Sequence, residues 1–129
     1  MVTKEKNHAI QNARGWLSSI REMIKGLESE DGPTRDEADT AIMDSPLSIE
    51  VRDGWRTPGG KAEGGPDEYR ILLTTGGPAL RLIGTLEDGT PTTVRMEWQD
   101  WGTPWTAMRL SARDEAACLA FASRFYFGE

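Results

Sequence analysis

From Tyr69 to Gln99 the chain alternates apolar and polar residues in three runs, broken only at glycine-bearing turns. Tyr69, Ile71 and Leu73 alternate with Arg70, Leu72 and Thr74. Leu80, Leu82 and Leu86 alternate with Arg81, Ile83 and Thr85. Val94, Met96 and Trp98 alternate with Arg95, Glu97 and Gln99. A period of two puts successive side chains on opposite faces, so each run predicts a strand with one buried face. The breaks are Gly76-Gly77-Pro78 and Glu87-Asp88-Gly89-Thr90, and the Asp-Gly pair is a strong hairpin signal. Connections this short permit antiparallel neighbours only, which selects a meander.

The flanking segments supply what the sheet must pack against. Over the first 30 residues, Ala13, Trp16, Leu17, Ile20, Met23, Ile24 and Leu27 recur at steps of three and four, predicting a helix with one apolar face. Glu30-Asp31-Gly32-Pro33 reads as its stop. Thr34 with Glu37 three positions on reads as the capping box of a second, short helix carrying Ala38, Ala41 and Ile42. Leu47, Ile49 and Val51 alternate with Ser48, Glu50 and Arg52, a further strand with one wet face. Residues 54–67 hold five glycines and two prolines and read as a loop. Ser111 caps a last helix whose face includes Ala116, Leu119 and Ala120, and the aromatics Phe125, Tyr126 and Phe127 predict a docked C-terminal turn. The expected architecture is a single α+β domain over 1–129: a four-stranded antiparallel meander packed by N-terminal and C-terminal helices.

The chemistry-bearing residues are few. Cys118 is the one cysteine and His8 the one histidine, which rules out an internal disulfide and leaves too few soft ligands for a zinc site within one chain. Cys118 reads as a buried small hydrophobe, with no sequence-near base to activate it. Gly76-Gly77-Pro78 lacks the Lys-Ser/Thr of a phosphate loop and is followed by a strand pattern, so it reads as a turn. No nucleophile, metal or cofactor motif is present, and the expectation leans to a non-enzyme with no cofactor and no catalytic residue. The polar start and the lack of a long apolar run favour a cytoplasmic protein away from membranes. The net charge of −6 argues against direct nucleic-acid binding through a basic surface.

Charge is unevenly placed. Between Glu28 and Asp53 nine acids face two bases, a net of −7, while the remainder is nearly balanced. Asp36, Glu37 and Asp39 lie in this stretch, which could steer a basic partner; the plainer account is a solvated helix face with capping acids. The sharpest feature is Gln99-Asp100-Trp101-Gly102-Thr103-Pro104-Trp105-Thr106. Trp98 faces the core by alternation. Trp101 and Trp105 fall outside the regular pattern, on a path constrained by Gly and Pro. Either they anchor a partner, with Gln99, Asp100 and Arg109 beside them, or they fold back as a lid on the core. Arg70, Arg81 and Arg95 are expected on the second face of the sheet, in cross-strand pairs with acids such as Glu97.

The pieces Leu73-Thr74-Thr75-Gly76-Gly77-Pro78-Ala79, Gln99 to Thr106 and Phe125-Tyr126-Phe127-Gly128-Glu129 resemble those of small uncharacterised proteins of bacteriophages and proteobacterial mobile elements. The resemblance implies a genetic setting and no catalytic residue. In that setting small acidic proteins act by binding host proteins, including nucleic-acid-targeting defences such as CRISPR complexes and restriction enzymes. The leading expectation is therefore a non-enzymatic protein-binding module, an inhibitor of such a defence, acting through the acidic stretch and the tryptophan anchors. The alternative is a small enzyme or ligand-binding protein with Gln99, Asp100 and Arg109 in an aromatic cleft. A third option is a homodimer through the aromatic surface.

Overall fold

The computed structural model describes residues 8–53, 55, 58 and 66–127. Helix α1 (His8–Leu27) buries Ala13, Leu17 and Ile20, and the neighbouring Trp16, Met23, Ile24 and Leu27 complete its apolar stripe. Helix α2 (Gly32–Asp44) lies against α1. A Cβ on Gly26 would come within 2.8 Å of the Ala38 Cβ, so the glycine that weakens α1 locally is what lets α2 approach it. The start of α2 differs from the sequence reading. Asp31 is the N-cap and accepts the Thr34 N–H at 3.0 Å as well as the Thr34 hydroxyl proton. Pro33 lies in the first turn, where its missing N–H costs nothing and its φ already suits the helix. Those contacts hold the Asp31 carboxyl below its ordinary pKa.

The strands are β1 (Ser48–Arg52), β2 (Glu68–Thr74), β3 (Ala79–Glu87), β4 (Thr90–Pro91), β5 (Arg95–Gln99) and β6 (Thr106–Ala107). All pair antiparallel in the order β1-β2-β3-β5-β6, with β4 also on β3. Among the described residues the sheet thus has six strands where the alternation predicts four. One addition comes from a bulge. Leu86 pairs with Pro91 and Ile83 with Arg95, so the register along β3 slips by one residue over 92–94. There the Thr85 N–H donates to Thr93 Oγ1 at 3.0 Å, and one strand is divided into β4 and β5. The other addition, β6, forms where the chain returns along β5 after the tryptophan turn. The Asp-Gly turn is as expected, with positive φ at Asp88 (52°) and Gly89 (79°).

Tyr69, Ile71, Leu73, Leu80, Leu82 and Met96 form the buried face, with α1 and α3 (Ala112–Ala122) in the helix layer above it. Ser111 caps α3 as expected, its Oγ accepting the Asp114 N–H at 3.1 Å. The C-terminal aromatics divide. Phe127 packs on Tyr69 with ring centres 5.0 Å apart, Phe125 meets Phe121 edge-on, and Tyr126 points outward. Most of the glycine-rich 54–67 segment, and the end of the Phe125–Glu129 piece, lie outside the described residues.

One expectation about the core fails. Ile49 and Val51 face the helix side, opposite the buried Ile71 and Tyr69, yet they are 38% and 45% exposed. Helix α1 packs on β3 and β5, and the apolar alternation of β1 stays exposed.

Candidate protein-binding surface

At the end of β5 the backbone turns sharply, and its own side chains latch it. The Thr103 N–H donates to the Asp100 carbonyl at 3.0 Å, and the Thr103 hydroxyl donates to the same oxygen at 2.9 Å. The Asp100 N–H returns a bond to Thr103 Oγ1 at 3.0 Å, while Asp100 Oδ1 accepts the Trp101 N–H at 2.8 Å. Gly102 takes φ +70°, a conformation a side chain would oppose. The result is a short, braced turn with Trp101 at its tip, 77% exposed.

The two tryptophans separate. Trp101 stands in solvent, whereas Trp105 folds back on the outer face of the sheet, where the Arg81 guanidinium carbon lies 4.0 Å from the ring centre. The two rings therefore do not share one arrangement: Trp101 is exposed, and Trp105 is a lid over the outer face and not over the core. Trp98 packs against the core, as its alternation predicts.

Beneath Trp105 the outer face is an ordered charge lattice. Arg81 reaches Glu97 Oε1 at 2.7 Å and Arg95 reaches Glu97 Oε2 at 2.9 Å. Glu97 is 8% exposed. Burial alone would raise its pKa, but the hydrogen bonds and charges of Arg81 and Arg95 outweigh that and hold it below the ordinary value. Further along the sheet, Arg70 pairs with Glu50 and Arg52 with Glu68. These pairs frame an open depression of about 450 Å³ whose floor includes Ile83. Its arginines each have a carboxylate partner, Glu97 being shared between Arg81 and Arg95.

The other sequence candidates are dispersed. Gln99 and Asp100 stay at the turn, both half-buried. Arg109 is exposed beyond β6 and lines a different groove, beside α1, with Leu17, Trp98, Met108 and Leu110; Gln99 and Asp100 do not line it. Asp36 and Glu37 are exposed on α2, and Asp39 pairs with Arg124 at 2.8 Å. Since α2 belongs to the helix layer and Trp105 to the outer face, acidic helix and indole lid sit on opposite sides of the sheet. Sequence reading missed the Thr103 latch; Asp100 and Thr103, three apart and flanking a glycine, are the signal for it.

Cys118 is fully buried, and burial together with the nearby Asp114 carboxylate pushes its thiol up to about 12. Among the described residues no group of three His, Cys, Asp or Glu side chains is placed to hold a metal ion, and no helix is long and apolar enough to cross a membrane.

Comparison with protein-family models, curated proteins and solved structures yields no match for this chain.

Proposed function

We propose that the chain is a non-enzymatic protein-binding module of the phage or mobile-element kind, and that Trp101 is its anchor. The observation that carries this reading is the large apolar side chain held in water on a turn braced by Asp100, Gly102 and Thr103. An isolated exposed indole buries much apolar area on contact, and a pre-ordered turn loses little freedom in doing so. The partner in this reading is a host protein in the cytoplasm, of the nucleic-acid-targeting defence class that the sequence resemblance implies. Asp36 and Glu37, open on α2, draw a basic partner in over a distance before Trp101 makes contact. In this reading the acids act on the encounter rate and the Trp101 indole on residence time.

The test is affinity capture from a host lysate with wild type and Trp101→Ala, followed by binding kinetics on the protein recovered. The anchor reading expects Trp101→Ala to lose that protein. Equal recovery by both forms overturns it. Asp36→Asn with Glu37→Gln is expected to slow association at low salt with little effect on dissociation; an unchanged association rate removes the steering role.

A further inference from the structure

Among the described residues strand β1 is the longer of the two edge strands of the sheet. Among the described residues no strand pairs with its outer side. All five of its residues are exposed, with Leu47 and Met43 exposed nearby. Soluble proteins usually blunt such an edge with charge, proline or a covering element, because its unpaired backbone groups invite another strand.

We propose that this edge pairs with β1 of a second copy, antiparallel about a two-fold axis through Val51. Two independent features select that register. The first is backbone direction. The Arg52 carbonyl accepts the Asp67 N–H on the β2 side, so alternation turns the Val51 N–H and C=O toward the free edge. Val51 can then exchange both bonds with its own copy.

The second feature is charge. Centring on Val51 sets Glu50 opposite Arg52 of the partner, twice. The outer face then reads Arg70, Glu50, then Arg52 and Glu68 of the second copy, alternating in sign and continuing pairs each monomer already makes. Centring on Glu50 would oppose like charges, and centring on Ile49 would leave Arg52 opposite a proline. On the helix side the chosen register brings Val51 against Val51, with Ile49 diagonal to it and opposite Asp53 of the second copy, so that the exposed Val51 side chains cover each other. Self-complementarity of this kind is what a two-fold interface requires.

The test is sedimentation equilibrium over a wide concentration range. Wild type is expected at twice the monomer mass of 14.3 kDa, dissociating on dilution. Val51→Lys, which sets two ammonium groups face to face at the axis, is expected at monomer mass with an unchanged far-ultraviolet circular dichroism spectrum. A wild type that stays at monomer mass throughout overturns the proposal. Register is read by copper-phenanthroline oxidation of Val51→Cys and Ile49→Cys. Hydrogen-bonded partners place their Cα atoms about 5.5 Å apart, within disulfide range. Val51→Cys is expected to crosslink to a covalent dimer and Ile49→Cys is not, with buried Cys118 as a silent background. Crosslinking through Ile49→Cys in preference to Val51→Cys overturns the register and with it the proposal.

Discussion

Arg81 lies between Trp105 and Glu97: its guanidinium carbon is 4.0 Å from the indole centre, and one of its nitrogens is 2.7 Å from the Glu97 carboxylate. A cation–π contact on one side and a charge-assisted bond on the other use a planar, many-donor group that lysine cannot copy. The indole shields the pair from water, so the interaction is worth more than an exposed salt bridge. Arg81→Ala would leave Glu97 buried with Arg95 as its one remaining cation and would remove the platform under Trp105. The expected loss is about 3 kcal/mol of unfolding free energy, measured by urea denaturation. Arg81→Lys is expected to recover less than half of it.

The same carboxylate gives stability a pH dependence. The folded-state pKa of Glu97 is depressed, so the unfolded chain takes up its proton first as pH falls. Its contribution is full above the unfolded value and disappears as pH falls through the folded one. Wild type and Glu97→Gln should therefore differ most at neutral pH and converge in acid below the ordinary carboxylate range. Urea denaturation at a series of pH values checks this. A difference that stays constant across the series would mean that Glu97 is not held ionised by its two arginines.

Trp101 and Trp105 are expected to respond oppositely. Trp101 has little to lose in the monomer, so Trp101→Ala should change stability by no more than about 0.5 kcal/mol. Its effect should fall on partner affinity, by about 2 kcal/mol or more if it is the anchor. Trp105→Ala removes the cover on Arg81 and should reduce stability by about 1 kcal/mol or more through the lost cation–π contact and packing. Thermal melts with affinity measurements on both variants separate the two roles. Equal stability losses would contradict the division seen in the structure.

Much of the fold is legible in the sequence because burial is periodic. Ile71, Leu82 and Met96 sit in the core where alternation puts them, and Leu17 and Ile20 where the helical stripe puts them. What escapes is whatever depends on what lies above a face. The alternation of Ile49 and Val51 marks an apolar side but cannot show that it stays exposed. The bulge at 92–94 is held by the Thr85 N–H donating across the hairpin to Thr93 Oγ1, a contact that alternation does not signal. At the start of α2 two capping patterns overlap, and Asp31 prevails over Thr34 because the intervening Gly32-Pro33 suits a first turn as readily as a stop. The tryptophan segment is legible as unusual, but its outcome turns on Arg81, a residue far away in sequence that offers a cation–π partner to one indole and not to the other.

Gly102 gives a test of the turn that leaves the indole itself untouched. At φ +70° its backbone is one that an L side chain resists. Gly102→Ala should cost about 1 kcal/mol of stability or distort the Asp100–Thr103 latch to relieve the strain. In either case Trp101 loses its fixed presentation, and a partner must then order the turn on binding. The expected result is weaker affinity with Trp101 still present, and a rise in the mobility of that residue, read by anisotropy after subtracting the signal of the matching Trp101→Phe form, because Trp16, Trp55, Trp98 and Trp105 also emit. Binding equal to wild type would show that the indole needs only to be exposed. In that case the bracing by Asp100 and Thr103 serves the return of the chain into β6 and has no part in recognition.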